Sequence, residues 1–268
     1  MIQASNDRAR PSVEYDVTVI VAVKNGVDTL EACLVSILNQ EDLQVGVIVV
    51  DGDSTDGTLV VVELYRPRLI AVLNDSGRGV FEAWNQALTL AHSPWIAFLG
   101  CDDRYADKRA LAKLLRAARE STNQPVFVYS QVSQRDAHGR ELMVLGKPWH
   151  IAKAQLTYRM SVCHCGALHA RELFDGGGFD TSFRIVGDYE FLYRQLERLR
   201  AVFVDEPLVW ARIGGLSTRP DLAIAQKLEL KRVFKMHRAG VGASLFWYVS
   251  MGVTLASLAM ARIRTLTR

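Results

Sequence analysis

The chain has 268 residues, of which 49% are hydrophobic and 23% charged, as is typical of a globular protein with a substantial core. This composition excludes the collagenous, disulfide-rich and intrinsically disordered classes. The formal charge of +3 is too small to indicate a nucleic-acid partner, but it is unevenly distributed. Residues 227–268 carry eight Lys or Arg and one Glu, a net +7, which leaves −4 on residues 1–226. We therefore expect a mildly acidic body with a basic, apolar tail.

The first hundred residues alternate between patterns of buried strands and of helices. Strands are predicted at 16–23, 45–50, 69–73 and 95–99, and helices at 28–39, 58–65 and 79–91, the first of them capped by Asp28. The β-branched apolar runs indicate strands that are buried on both faces. This alternation predicts a Rossmann-like α/β fold, a mostly parallel sheet flanked by helices.

The pattern is less regular after Asp103. A helix is predicted at 108–119, a strand at 126–130, an irregular hairpin at 131–150 that turns at His138-Gly139, a glycine-rich turn at 174–180 and a helix at 188–199. The segment Cys163-His164-Cys165 has no second cysteine or histidine pair to complete four ligands, which disfavours structural zinc. The polar first eleven residues lack the apolar stretch of a secretion signal, so we expect a reducing compartment.

Polar side chains collect where the predicted parallel strands end, the edge at which such sheets bind ligands. Neither a GxGxxG segment after the first strand nor a GxxxxGK[ST] loop is present, which argues against a dinucleotide or P-loop phosphate site. Asp102 and Asp103 directly follow a buried strand. Two carboxylates at this rim suit Mg²⁺ or Mn²⁺, which also bind substrate phosphates. The alternative for this pair alone is a turn with a helix cap.

Four segments that follow one another along the chain favour the metal-site interpretation of Asp102 and Asp103. Val17–Asn25, Val47–Thr58, Gly79–Leu88 and Trp95–Asp103 together resemble the family 2 glycosyltransferases of the GT-A fold. A second block, Cys163–Phe174 followed by Gly177–Arg194, is similar to the acceptor-side half of the same family. The resemblance extends from Val17 to about Arg212. It implies a hexosyltransferase-type enzyme that uses a nucleotide-sugar donor and a divalent cation.

The resemblance also implies roles for individual residues. It places the donor nucleotide at the following positions: Ala22, Lys24, Asn25, Asp51, Asp53 and Asp102. Arg78 is added to the donor site because its charge would stabilise the leaving diphosphate. Asp103, with Asp102, would hold Mg²⁺ or Mn²⁺, and Asp188 would be the catalytic base of an inverting single displacement. His164 and Glu190 fall on the acceptor side, with Glu190 as the fallback base. Trp84, in the helix after Gly79, is most simply interpreted as a core residue.

Two positions depart from the family pattern. Gly52 stands at the second position of the family's Asp-Asp-Gly-Ser turn. We therefore expect Asp51 or Asp53, in place of an Asp at this position, to recognise the nucleobase of the donor. The first Asp of the metal motif is replaced by Gly100. One carboxylate together with a diphosphate still suffices to hold Mg²⁺.

The tail contains 23 residues without a formal charge, 239–261, roughly 34 Å as a helix and enough to cross a bilayer core. Basic residues flank both ends almost equally, so charge does not orient a span. We favour an in-plane or re-entrant helix on anionic lipid, with Phe246, Trp247 and Tyr248 at the interface. A true span, and a soluble packing helix or dimer contact, remain alternatives.

Together these patterns predict a GT-A domain at 12–220 and a membrane-associated tail at 221–268, at the cytoplasmic face of a bacterial inner membrane. The expected acceptor is a lipid-linked saccharide of surface-polysaccharide assembly. The sequence is compatible with either a monomer or a homo-oligomer. The competing functions are a nucleotide-binding scaffold, which Gly52 and Gly100 make conceivable, and a sugar nucleotidyltransferase. The latter would need a Gly-rich loop with Arg and Lys after the first strand, which Val23–Val27 does not supply.

Overall fold

The computed structural model describes residues 14–215 and 218–266, with side chains through residue 260. The polar N-terminal segment, on which the expected lack of a secretion signal rests, lies outside this part. The side chains of Arg262, Arg264 and Arg268, which follow the apolar stretch of the tail, also lie outside it.

Within the described residues, one nine-stranded sheet has the order β3-β2-β1-β4-β8-β6-β9-β5, with β7 paired to β6. The first four strands are all parallel: β1 (Val17–Val23), β2 (Val45–Asp51), β3 (Ala71–Asn74) and β4 (Trp95–Gly100). They are connected by three helices: α1 (Leu30–Leu38), α2 (Thr58–Tyr65) and α3 (Val80–Leu88). The predicted α/β alternation is confirmed.

The predicted Asp28 cap is wrong. Helix α1 begins at Leu30, and the N-cap position is held by Thr29 without a side-chain capping bond. The backbone N–H groups of Thr29 and Leu30 both donate to the carbonyl of Gly26. This turn satisfies donors at the start of the helix, so a carboxylate cap is not required.

The second half of the sheet is mixed rather than parallel. It contains β5 (Arg104–Tyr105), β6 (Phe127–Arg135), β7 (Glu141–Leu145), β8 (Ala167–Ala170) and β9 (Ala201–Arg212), with helices α4 (Ala110–Glu120), α5 (Trp149–Leu156) and α6 (Gly187–Arg194). Strand β8 runs antiparallel to both β4 and β6, and β6 pairs with β9 in parallel. The expected hairpin at 131–150 is present as β6 and β7, whereas α5, β8 and β9 had no counterpart in the sequence prediction.

Alternate residues of β1 enter two separate cores. Val17, Val19 and Val21 pack on the face covered by α1 and α4, and Ile20 packs on the face covered by α3 and α6. Because both faces are covered, β1 is apolar at every position except Thr18, which is itself buried and hydrogen-bonded to Ser93. The sheet is thereby fixed between two layers, and its carboxyl edge is left for ligands.

The tail consists of α7 (Ala223–Met236) and α8 (Val241–Leu266). Leu230, Val233 and Phe234 of α7 belong to the core that also contains α3 and α6. The boundary expected at residue 220, between the GT-A domain and the tail, therefore separates α7 from helices with which it shares one core. Helix α8 differs, since the stretch Val241–Met260 is long and apolar enough to cross a membrane and only 11% of its apolar window is buried.

Candidate active site

The parallel register brings the predicted donor-site residues to one edge of the sheet. Val23 is paired with Asp51, and Ala22 is paired with Gly100 on the other side. The segments that follow these three strands therefore begin side by side. Ala22 is half-buried in this row, between the ends of β2 and β4.

Asp51 is a buried acid of this edge, with 1% of its surface exposed. Its Oδ2 accepts a hydrogen bond of 3.0 Å from the backbone N–H of Ser54, whereas its Oδ1 has no partner among the described residues. A buried carboxylate oxygen without a partner is costly, so Oδ1 is an acceptor available to a ligand N–H.

Asn25 and Asp53 stabilise the loops around that acid. Both adopt left-handed backbone conformations, with φ of 52° and 59°. The Asn25 Oδ1 accepts from the backbone N–H of Thr55 at 2.8 Å, and Asp53 Oδ1 accepts from the amide of Asn74 at 3.0 Å. These side chains join the loops after β1, β2 and β3, so they shape the rim of the site.

The two predicted cations of the donor site lie near the loop after β3. The Lys24 ammonium lies 3.1 Å from the position a Cβ on Gly77 would occupy, and Gly77 has φ of +69°. Arg78 donates through Nε to the carbonyl of Asp75 at 3.1 Å and pairs with Glu82 at 3.2 Å. Lys24 therefore points along the loop of the donor edge, while the Arg78 guanidinium is held on the first turn of α3.

Asp102 and Asp103 both turn back over Gly100. Asp102 Oδ1 and Asp103 Oδ2 each lie 2.9 Å from the place where a Cβ on Gly100 would stand. Asp103 Oδ1 accepts from the backbone N–H of Arg212 at 3.0 Å. Burial, and then the charge of Asp102, raise the pKa of Asp103 to about 7, and burial also raises the pKa of Asp102. The missing side chain at position 100 thus leaves the space in which the two carboxylates converge.

Asp188 lies in the first turn of α6, where its Oδ1 accepts from the backbone N–H of Tyr189 at 2.8 Å. Burial raises the pKa of Asp188 to about 6. The pKa of the Cys163 thiol is raised to about 12 by burial and then by the charges of Asp103 and Asp188. Since both carboxylates act on this one thiol, the chain brings them into one neighbourhood although 84 residues separate them in sequence.

His164 is 7% exposed and lies inside an aromatic cluster. Its ring stacks on Trp84 at 5.1 Å between centroids and lies 4.6 Å from the ring of His169. Burial holds the pKa of His164 well below its usual value, so the ring is neutral. Neither ring nitrogen has a partner among the described residues. Trp84 is likewise packed among aromatic side chains, as the core interpretation of this residue requires.

Glu190 does not share the task of Asp188. It is 2% exposed, and its Oε1 lies 2.9 Å from Nε2 of His237, the C-cap residue of α7. Arg194 approaches its other oxygen at 3.6 Å. The carboxylate predicted as an acceptor-side residue and fallback base is therefore occupied in an ion-pair cluster that ties α6 to the tail.

Sequence reasoning missed Glu229, whose carboxylate accepts three hydrogen bonds from the backbone just before α6. A signal was present, because Glu229 is the one acidic residue among the eight basic residues of 227–268. The contact of Arg212 with Asp103 was also missed, since nothing in the sequence pairs β9 with the end of β4.

The family follows from comparison of the sequence with known proteins. The sequence model of glycosyl transferase family 2 matches residues 18–174. The chain belongs to this family. The resemblance drawn from the motifs is thus confirmed, and this chain is a glycosyltransferase, with homologues in polysaccharide and lipid-linked glycan biosynthesis.

Relatives and solved structures agree with this assignment. A PGL/p-HBAD biosynthesis glycosyltransferase of Mycobacterium bovis is 29% identical over 232 residues, covering 84% of this chain and 86% of the relative. The Escherichia coli UDP-Glc:alpha-D-GlcNAc-diphosphoundecaprenol beta-1,3-glucosyltransferase WfaP is 35% identical over 88 residues, covering 32% of this glycosyltransferase and 35% of WfaP. The mannosyltransferase PcManGT of Pyrobaculum calidifontis, solved with GDP-Man and Mn²⁺, superposes with a TM-score of 0.66 at 20% identity, covering 94% and 76% of the two chains. This likeness confirms the GT-A fold.

Proposed function

We propose that this glycosyltransferase moves a sugar from a nucleoside-diphosphate sugar to an acceptor hydroxyl with inversion at the anomeric carbon, and that Asp188 is the base. One observation carries the proposal. The half-buried carboxylate of Asp188 is held in the first turn of α6 by the backbone N–H of Tyr189, at the position the family resemblance gives to the base, and burial raises its pKa to about 6. A carboxylate with a pKa just below neutrality is ionised at working pH and still accepts a proton readily.

Asp51 recognises the nucleobase of the donor. Its Oδ1 is buried and unpartnered, and a nucleobase N–H would satisfy it. Lys24 adds a positive charge on the same edge, beside the loop after β3, where it would attract the diphosphate. Asn25 and Asp53 hold the loops around the base in place.

A divalent cation fits the space above Gly100, with Asp103 and Asp102 as its protein ligands. Among the described residues no group of three or more His, Cys, Asp or Glu side chains could hold a metal, so the diphosphate has to supply further oxygen ligands. When bound, Mg²⁺ or Mn²⁺ neutralises charge on the leaving diphosphate. The presence of Mn²⁺ with GDP-Man in PcManGT supports this cofactor.

The remaining chemistry belongs to the chain itself. Asp188 accepts the proton of the acceptor hydroxyl as that oxygen attacks the anomeric carbon, and the nucleoside diphosphate leaves from the opposite face. A single displacement of this kind inverts the configuration and needs no covalent nucleophile. The N-terminus of α6 and the backbone N–H of Tyr189 keep the carboxylate oriented towards that proton.

The acceptor is a lipid-linked saccharide, and the enzyme works at the cytoplasmic face of the bacterial inner membrane with α8 lying in the plane of the interface. The diphosphoundecaprenol named for WfaP supports this class of acceptor. The exposed apolar surface of α8 supports the location.

The test is sugar transfer by Asp188→Asn and Asp103→Ala proteins, with the exposed Asp175→Asn as the matched control. We expect Asp188→Asn to lower kcat by at least a hundredfold while nucleoside-diphosphate binding persists. Asp103→Ala should weaken metal-dependent binding of the nucleotide, and Asp175→Asn should behave as wild type. NMR of the product reports the anomeric configuration. Transfer that survives in both variants refutes the mechanism, and a wild-type chain that binds nucleotide without transfer is a scaffold.

A further inference from the structure

A cavity of 550 Å³ lies between α7 and α8. Its lining includes four cations and three aromatic side chains: Lys231, Arg232, Lys235, Arg238, Phe234, Trp247 and Tyr248. Among the described residues that line it there is no Asp or Glu. We call this cavity the α7/α8 groove. Its charge favours an anionic occupant.

Three of these cations have no acidic partner within the described part of the chain, namely Lys231, Lys235 and Arg238. Arg232 differs, because its guanidinium donates to the carbonyl and hydroxyl oxygens of Ser182. Unpaired cations around a hollow repel one another, and an anion between them removes that repulsion.

Aromatic rings fix one of the cations in the groove. The Lys231 ammonium lies 4.4 Å from the centroid of the Trp247 ring and 5.5 Å from that of Tyr248. Trp247 is itself anchored, since its Nε1–H donates to the carbonyl of Lys227 at 2.5 Å. Tryptophan and tyrosine side chains are enriched at membrane interfaces, so this arrangement of two such rings around a lysine is typical of a surface that meets a bilayer.

The groove borders an exposed apolar face of α8. Large apolar side chains along this helix are half or more exposed: Val241, Leu245, Tyr248, Val249, Val253, Leu255 and Met260. At 100° per residue they fall within an arc of about 160°. Ala243 and Trp247, which are buried, lie on the opposite side. Tyr248 belongs to both surfaces, so phosphate-sized anions and apolar chains would meet α8 side by side.

We propose that the α7/α8 groove binds lipid phosphate headgroups of an anionic bilayer, while the apolar face of α8 lies in the acyl boundary. The proposal deepens the proposed function and rests on it for the choice of a lipid surface. Charge complementarity and the adjacent apolar face together favour a bilayer over a soluble polyanion, which would leave that face in water.

The test is flotation of the full chain with vesicles of phosphatidylcholine, alone or mixed with phosphatidylglycerol. We expect binding to the mixed vesicles and about a hundredfold weaker binding after Lys231→Gln, Lys235→Gln and Arg238→Gln are combined, because each removed cation costs roughly a factor of five. The matched control removes the same charge from the body, as Lys108→Gln, Arg109→Gln and Arg116→Gln, and should float as wild type.

Two results overturn the groove proposal. Equal binding of the wild-type chain to neutral and anionic vesicles means that the apolar face inserts without the groove. A wild-type chain that binds neither vesicle and sediments as a dimer means that this face joins two copies. A chain that binds anionic vesicles as expected but transfers no sugar leaves the groove in place and refutes the proposed function.

A second inference rests on a different observation, the carboxylate of Glu229. From α7 its two oxygens accept hydrogen bonds of 2.9, 2.9 and 3.0 Å from the backbone N–H groups of Arg184, Ile185 and Val186. Asp188 follows two residues later. The N-cap of α6 makes no side-chain capping bond of its own, so a residue of another helix satisfies the donors at the entrance to α6.

Other contacts hold the same segment from both sides. A Cβ on Gly187 would stand 2.7 Å from the ring of Phe81, so the chain at Gly187 packs directly on α3. On the far side, Glu190 contacts His237 at the end of α7. The segment that carries Asp188 is therefore held between α3 and the tail.

We infer that Glu229 is a positioning residue, which sets the place of the Asp188 carboxylate and makes α7 part of the catalytic apparatus. This inference also rests on the proposed function, in which Asp188 is the base. It implies that a change in the tail acts on the rate of transfer without touching the donor edge of the sheet.

The test compares kcat and nucleoside-diphosphate affinity in Glu229→Gln with those of Glu197→Gln, an exposed control just after α6. The amide keeps the size of Glu229 but turns one acceptor oxygen into a donor that faces backbone N–H groups. We expect kcat to fall by about tenfold to a hundredfold with unchanged nucleotide affinity. Glu229→Asp tests whether a shorter carboxylate restores part of the rate.

An unchanged kcat in Glu229→Gln overturns the inference, and so does an equal loss of rate and nucleotide affinity, since that marks general damage to the fold. Full activity of Asp188→Asn instead refutes the proposed base, whatever Glu229→Gln does. The two failures are thus distinguishable.

Discussion

Substitution of Gly100 by alanine probes the convergence of Asp102 and Asp103. The added Cβ would stand 2.9 Å from one oxygen of each carboxylate, closer than carbon and oxygen normally approach. The obstructing atoms are the tips of two side chains, so they can rotate away at a cost of about 1 kcal/mol in the free energy of unfolding. The functional cost is larger, because misplacement of a catalytic group by about 1 Å lowers rates up to about a hundredfold.

We therefore expect Gly100→Ala to be folded, to need more Mn²⁺ for half-maximal transfer, and to show a kcat lower by about tenfold to a hundredfold. The assay is transfer at saturating donor across a Mn²⁺ titration, with thermal unfolding of the same samples. Gly176→Ala is the control, since a Cβ there meets nothing within 4 Å. A Gly100→Ala protein with the Mn²⁺ requirement and kcat of wild type refutes the placement of the metal at Asp102 and Asp103.

Three further predictions concern Asp188, Glu190 and Asn85. Because the pKa of Asp188 is about 6 and the base acts as the carboxylate, kcat should fall as the pH drops below 6, by about tenfold per unit, and level off above it; a rate that is flat from pH 5 to 8 contradicts this assignment. Glu190→Ala removes the partner of His237 and should lower the free energy of unfolding by about 2 kcal/mol in urea titrations, with nucleotide affinity unchanged. Asn85→Ala removes two hydrogen bonds of 2.8 Å to the backbone of Phe179 and should cost about 2 kcal/mol by the same measurement, whereas a shift near zero would mean that water replaces the amide.

Local sequence determined the first half of the fold. The run from Val17 to Val23 predicted a strand buried on both faces, and the helical patterns between such runs predicted parallel neighbours, as the structure shows. Because parallel strands end at one edge, the meeting of Asp51 with the end of β1 followed from the chain order alone. The family motifs then supplied the roles expected for those residues.

The second half depended on contacts that no local pattern encodes. Strand β9 begins after Leu199 and pairs with β6, more than seventy residues earlier, and its end donates the Arg212 N–H to Asp103. Periodicity reports which side of an element is apolar, but it does not report which distant element covers that side. The mixed order of β8, β6 and β9 was therefore beyond the reach of the sequence.

The tail shows the same boundary between sequence and tertiary structure. The charge of +7 on residues 227–268 and the apolar stretch were determined by composition and indicated a basic surface that faces anionic lipid. Only the tertiary structure decided that α7 packs into the catalytic core, that Lys231 faces a groove and that Glu229 reaches the entrance of α6. The physical reason is that the packing of whole helices decides which partners a carboxylate meets. The position of one acid among the eight basic residues of 227–268 does not tell which backbone N–H groups it binds.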